Sequence, residues 1–348
     1  MFIPEIVHAQ KRGDPLGLYC ICSANPFVLE AGILQAKEDG TAVCIESTPN
    51  QVNQFGGYIG KTPMEFSRFV LKIAAEMKLP AERIILGGDH LGPHVWQNET
   101  STSAMSKARE LVRQSVLAGY TKLHLDTSMR CADDPPGALS DEVITERAAD
   151  LCQTAEAALL ERPIGSPHPF YVIGTEVPTP GGGQESVESL SLTGVEDLEN
   201  TIELARKIFS RRGLKSAWQR VFAVVVQAGA EFADASIFAY DRQKARFLSS
   251  QIRKHEGLVF EAHSTDYQTR QALKAMVEDQ FAVLKVGPWL TYAFREAIFA
   301  LAEVEAEWLG GRKGMVLSRP RPIQDDNSSI HHLIPPGKGA PNHIASNF

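Results

Sequence analysis

Short apolar runs of strand length alternate along the chain with longer stretches whose apolar residues return every three or four positions. The runs lie at 17–22, 42–45, 84–86, 121–125, 170–173, 221–226, 258–260 and 281–284. They are rich in Val, Ile, Leu and Phe and show little alternation, as expected of strands covered on both faces. Helical spacing fills 26–37, 62–78, 101–118, 140–160, 195–212 and 241–255, then a segment after the seventh run, then 291–308. Thr62-Pro63 with Glu65, and Ser140 with Asp141 and Glu142, carry the signals of helix starts. The glycines Gly87-Gly88 are expected to end the third strand. Eight strand–helix units in one run specify a parallel sheet covered by helices, and eight close into a single (β/α)8 (TIM) barrel over 1–312. An open doubly wound sheet is the competing architecture, but no Gly-x-Gly-x-x-Gly follows the first strand and nothing divides the run into halves.

Beyond about residue 312 this grammar stops. Positions 313–348 are rich in Pro, Gly, Ser, Asn and His without periodicity, which predicts a disordered tail. Across the 348 residues a net charge of −7, with no basic run, excludes a nucleic-acid surface. No apolar stretch reaches the roughly 20 residues of a membrane span. The first 15 residues lack the apolar core of a signal peptide. Five scattered cysteines fit a reduced, cytoplasmic setting better than a disulfide framework, and Cys20 and Cys22 read as small barrel-interior residues.

In such a barrel the chemistry sits at the C-terminal ends of the strands. Those ends carry Asn25, Glu46, Asp89 with His90, Asp126, Glu176, Gln227, His263 with Asp266, and Lys285. His90, Glu176 and His263, from the third, fifth and seventh strands, would make a three-ligand site within about 5 Å of one point. Such a site suits a divalent ion, zinc being the expected one, acting as Lewis acid. The long polar loop at 50–57 reads as a functional βα loop.

Five stretches carry a family resemblance: Gln51-Val52-Asn53-Gln54-Phe55-Gly56-Gly57, Leu86-Gly87-Gly88-Asp89-His90-Leu91-Gly92-Pro93, Gly174-Thr175-Glu176-Val177-Pro178, Glu261-Ala262-His263-Ser264-Thr265-Asp266-Tyr267-Gln268-Thr269 and Leu284-Lys285-Val286-Gly287-Pro288. Together they resemble the tagatose-bisphosphate aldolase accessory subunits and the tagatose 6-phosphate 4-epimerases, relatives of class II aldolases. The resemblance spans 14 to about 309. It implies that Asp89 is the proton-transfer acid/base, that His90 is a metal ligand, that Glu176 matches the pattern's carboxylate, and that His263 opens its phosphate loop. Glu46 joins Asp89 as a candidate catalytic carboxylate. Asn25, Gln51, Asp126, Ser264, Asp266, Lys285 and Gly287 are the candidate substrate-binding positions. Gln227 stands where the aldolases carry a further His ligand. The His-Gly-Gly-Ser-Gly phosphate loop is replaced by His263-Ser264-Thr265-Asp266, which removes a backbone nest and adds a carboxylate. A substrate with a free C1 hydroxyl therefore fits better than a 1,6-bisphosphate.

Two functions follow from the resemblance. One is metal-assisted C4 epimerisation of D-tagatose 6-phosphate to D-fructose 6-phosphate by retro-aldol and aldol steps. The other is a non-catalytic subunit that supports a separate tagatose-bisphosphate aldolase chain. A kinase would need a phosphate-cradling Gly-rich loop, and none is present.

Overall fold

Val221–Val225 buries all five of its residues, as does Val43–Ser47, so these runs can only be strands with both faces covered. The computed structural model describes residues 3–175, 177, 191–233 and 236–309. The tail at 313–348 lies outside the described residues, as do Glu176 and most of the loop that follows it.

The strands are β1 (Leu18–Cys22), β2 (Val43–Ser47), β3 (Ile84–Leu91), β4 (Lys122–Leu125), β5 (Phe170–Ile173), β6 (Val221–Val225), β7 (Glu231–Ala233), β8 (Ser236–Phe238), β9 (Val259–Ala262) and β10 (Phe281–Val286). Eight of them close a parallel barrel in the order β1-β10-β9-β6-β5-β4-β3-β2, and β7 and β8 pair as a separate antiparallel hairpin. The helices are α1 (Ile3–Arg12), α2 (Pro26–Asp39), α3 (Pro63–Glu76), α4 (Ser101–Leu117), α5 (Asp141–Leu159), α6 (Val195–Arg211), α7 (Lys215–Trp218), α8 (Arg242–Ile252), α9 (Arg270–Glu278) and α10 (Pro288–Trp308). The start signals act as expected. Thr62 and Glu65 form a capping box, and the Ser140 hydroxyl accepts from the Val143 N–H. Among the described residues no helix is long and apolar enough to cross a membrane.

Two cores result. The outer one, between strands and helices, contains Leu29, Phe66, Tyr120, Phe209 and Phe260. The inner one fills the lower barrel with Leu18, Ile85, Val172, Phe222, Val259 and Val283, and α1 adds Ile3, Ile6 and Val7 to it. α1 was not foreseen from the sequence, because three apolar residues over 3–7 fall short of a helix-length pattern. Tertiary contacts hold it: the Gln10 side-chain amide donates to the carbonyls of Leu16 and Val277, and Gln280 donates to Gln10 at 2.7 Å. The short α7 and the β7–β8 hairpin also carry too little periodicity to be read. β3 runs on to Leu91 instead of ending at Gly87-Gly88. A Cβ on Gly87 would stand 2.5 Å from the Glu46 carboxylate, so this glycine continues the strand because it leaves room for a neighbour's side chain.

Candidate active site

The missing Cβ at Gly87 sets up the lower layer of the site. Glu46, Gly87 and Lys122 are register partners on β2, β3 and β4, and the two long side chains meet across the glycine at 2.6 Å. Lys122 reaches Glu261 of β9 at 2.6 Å as well. Lys285 of β10 pairs with Glu46 and, at 2.8 Å, with Asp89. All five charged residues are buried. Burial opposes the charge on Lys122, but Glu261 beside it raises its pKa, and Glu261 is itself held down to about 2 against the effect of burial.

Above this layer β3 departs from regular geometry. Gly88 pairs with Leu123 and Leu91 with Leu125, so Asp89 and His90 together oppose the single residue His124. This is a β-bulge, with His90 in the left-handed region at φ 51°. In a flat strand neighbouring residues face opposite sides. The bulge turns both Asp89 and His90 into one cluster with His124 and His263, and one ligand atom from each lies within 4.8 Å of the others. The three imidazole rings form a near-equilateral triangle, with centroids 4.8, 4.9 and 5.0 Å apart.

Each ring is anchored on one side. His90 Nδ1 meets Asp126 at 2.8 Å, and His263 Nε2 meets Glu261 at 3.0 Å. His124 Nδ1 lies 3.2 Å from Asp89 Oδ1 and 3.2 Å from the backbone N–H of His90, while its buried Nε2 has no protein partner. Burial pushes the Asp89 carboxyl upward, yet His90, His124 and His263 bring it well below the usual carboxylate range. Burial lowers His90, but Asp89 and Asp126 carry it above the ordinary imidazole value. His124 is lowered, chiefly by burial. Asp126 is depressed against burial by His90.

This donor set fits a divalent cation. Three clustered imidazoles and a carboxylate match the ligand chemistry of zinc and its neighbours. The orphaned Nε2 of His124 is free to serve as a ligand atom. The buried carboxylates Glu46, Asp89, Asp126 and Glu261 outnumber the ammonium groups of Lys122 and Lys285 by two, which is the charge such an ion carries. The bonds from Asp126 to His90 and from Glu261 to His263 are the outer contacts that orient imidazole ligands.

Two of the three expected ligands, His90 and His263, are thus brought together, and Glu176 lies outside the described residues. Gln227 is turned into its own loop, where its amide accepts from the Gly229 N–H at 2.9 Å and reaches Glu231. His124 was not foreseen as a site residue, because Lys122-Leu123-His124-Leu125 reads as an ordinary strand. The residue numbers carry a signal nonetheless: Lys122, His124 and Asp126 alternate and so share a strand face. Cys22 was also missed, and its thiol donates to Asp89 Oδ2 at 3.2 Å.

Several residues expected on a substrate are engaged elsewhere. Asn25 caps α2 by accepting from the Phe27 N–H. Gln51 accepts from the Thr48 N–H at 2.9 Å and braces its loop. Lys285 is spent on Glu46 and Asp89, and Glu46 is saturated by two lysines. Asp126 orients His90 and accepts from Ser128. The Asp266 carboxylate accepts the N–H groups of Gly287, at 3.0 Å, and Trp289, at 2.8 Å, at the start of α10. Ser264 follows His263 in the left-handed region at φ 52°.

Comparison with known proteins finds relatives of this barrel in sequence and in fold. Residues 3–320 match the family described as "D-tagatose-1,6-bisphosphate aldolase subunit GatZ/KbaZ-like". A probable tagatose 6 phosphate kinase from Sinorhizobium meliloti 1021 is 44% identical in sequence and superposes with a TM-score of 0.77, over 85% of this chain and 71% of that one. The fructose-bisphosphate aldolase of Campylobacter jejuni shares the fold at 14% identity, with a TM-score of 0.57, over 88% of this chain and 81% of that one. A putative fructose-1,6-biphosphate aldolase from Coccidioides immitis does so at 14% identity and a TM-score of 0.54, over 87% and 85%.

Proposed function

The chain belongs to the D-tagatose-1,6-bisphosphate aldolase subunit GatZ/KbaZ-like family, and from that premise we propose that it epimerises C4 of a ketohexose 6-phosphate, interconverting D-tagatose 6-phosphate and D-fructose 6-phosphate. The observation that carries this reading is the buried cluster of Asp89, His90, His124 and His263, built on the charged layer of Glu46, Lys122, Glu261 and Lys285. A protein that served only as scaffold would gain nothing from a strained bulge and an orphaned imidazole nitrogen at that place.

His90, His124 and His263 would hold a divalent ion, with the Asp89 carboxylate beside it. Such an ion supplies Lewis-acid stabilisation of negative charge developing on substrate oxygens. Asp89 is ionised at neutral pH, since its imidazole neighbours hold its carboxyl low. It takes the proton from the C4 hydroxyl as the C3–C4 bond breaks. C4 becomes an aldehyde carbon, and the bonding pair passes to the three-carbon fragment as an enediolate. The aldehyde then turns its other face, the C3–C4 bond reforms, and Asp89 returns the proton to the C4 oxygen. Lys285 and the Cys22 thiol hold the Asp89 carboxylate in place through the cycle, at 2.8 and 3.2 Å. Cytoplasmic action fits the reduced cysteines.

The arrangement of Asp266 favours a free C1 hydroxyl. The backbone N–H groups of Gly287 and Trp289, which open α10, already serve the Asp266 carboxylate and leave no nest for a second phosphate. A kinase reading, the name that the S. meliloti relative carries, lacks any Gly-x-x-x-x-Gly-Lys-Ser/Thr loop in this sequence to hold a nucleotide.

A second reading, a subunit that supports a separate tagatose-bisphosphate aldolase chain, is favoured by a different observation. Leu301, Val304 and Trp308 on α10 are 57, 61 and 87% exposed, which is a large apolar face for a lone chain. One experiment separates the two. The purified chain, incubated alone with tagatose 6-phosphate and zinc, is expected to form fructose 6-phosphate, and Asp89→Asn is expected to lower that rate by about 10²–10⁴-fold with metal content kept. No turnover by the wild-type chain alone, together with a raised activity or lifetime of a co-expressed aldolase, would sink the enzyme reading and support the other.

A further inference from the structure

Among the described residues the mechanism leaves one buried imidazole unused. His94 opens the short 3-10 turn His94–Trp96, just beyond the β3 bulge. The approach to it is fixed by Gly92, where a Cβ would stand 1.6 Å from the backbone oxygen of Asp126. Only glycine lets the loop press so closely onto the end of β4. That contact sets the His94 ring beside His90, with centroids 6.5 Å apart. Asp126, Asp89 and His124 are the other titratable groups it faces.

His94 is buried, and its Nε2 lies 3.4 Å from the side-chain nitrogen of Asn50. An amide nitrogen can only donate, so Nε2 accepts and the ring proton sits on Nδ1. Nδ1 is itself buried and has no protein partner. A buried N–H without an acceptor in the protein weakens the fold, and it stands ready to donate to a bound molecule.

We propose that His94 is a substrate-binding residue whose Nδ1–H donates to a hydroxyl or carbonyl oxygen of the sugar phosphate held over the Asp89, His90, His124 and His263 cluster. Asn50 fixes its tautomer, in the way that partner bonds orient functional imidazoles. The inference rests on the sugar-phosphate reading above.

Binding, measured apart from turnover, tests it. The full chain carrying Asp89→Asn and loaded with zinc is titrated calorimetrically with tagatose 6-phosphate, and the same is done with His94→Leu or His94→Asn added. His94→Leu is expected to weaken binding about 10-fold, the size of one hydrogen bond. His94→Asn, whose amide nitrogen falls near the place of Nδ1, should recover most of the loss. Bound zinc should be unchanged, and the ligand-free Tm of His94→Leu should stay within about 2 °C of its parent. Equal binding by the parent and His94→Leu overturns the inference while leaving the sugar-phosphate reading intact. A His94→Leu chain that unfolds, or loses zinc, makes His94 structural and overturns it as well. If the Asp89→Asn parent binds no ketose phosphate, the function reading has failed, and this inference with it.

Discussion

At the scale of single residues, Lys122 decides the most. It lies fully buried between Glu46 and Glu261, at 2.6 Å from each. Removing one partner of a buried ion pair leaves an uncompensated charge, whereas burying the complete set roughly breaks even. Lys122→Met is therefore expected to cost about 3–5 kcal/mol, read as a shift of the urea midpoint without a change of slope. An unchanged midpoint would mean that Glu46 and Glu261 carry protons in the folded chain. Lys285 should matter differently, since it also touches Asp89.

At the scale of elements, α1 and the β3 bulge divide the work. The bulge places chemistry, because it faces two consecutive residues the same way. α1 closes the N-terminal end of the barrel, where Ile6 is fully buried among the inner-core side chains. Ile6→Ala opens a cavity between helix and strands that neither can collapse to fill. The expected loss is about 2–5 kcal/mol in stability, with the imidazole triad and its metal binding kept, because the two lie at opposite ends of the barrel. A drop in zinc affinity in proportion to the lost stability would show that the ends are coupled.

At the scale of the whole molecule, the buried site carries two more negative than positive side chains when its imidazoles are neutral. Folding must confine that charge, and a divalent ion would relieve it. Chelation is therefore expected to lower the Tm, and zinc to restore it. At a free ion concentration of 100 Kd the stabilisation is about 2.7 kcal/mol. The metal effect should vanish in a His90→Ala, His263→Ala double variant. A Tm indifferent to chelation in the wild-type chain would show that the cluster holds no metal. Because ligand imidazoles must be deprotonated, and His90 is held above its ordinary pKa by Asp89 and Asp126, zinc affinity should rise as the pH is raised through the His90 titration.

The sequence by itself determined the architecture. Doubly buried parallel strands read as unbroken apolar runs, and amphipathic helices read by their spacing, so all eight barrel strands and the long helices between them were legible. Asp89, His90 and His263 were legible too, since strand exits in such a barrel are where polar groups gather. His124 and Lys122 were not, because a polar residue inside a strand shows its direction only once the neighbouring strands are placed. The same holds for the fates of Lys285 and Asp266. Sequence offered them as free ligand-binding groups, and packing engaged one with carboxylates and the other with the first N–H groups of α10. Local chemistry selects which elements form, being encoded within a few residues. Which polar groups remain free for a ligand depends on partners up to 239 residues away along the chain, as with Lys285 and Glu46, and only the closed barrel brings those together.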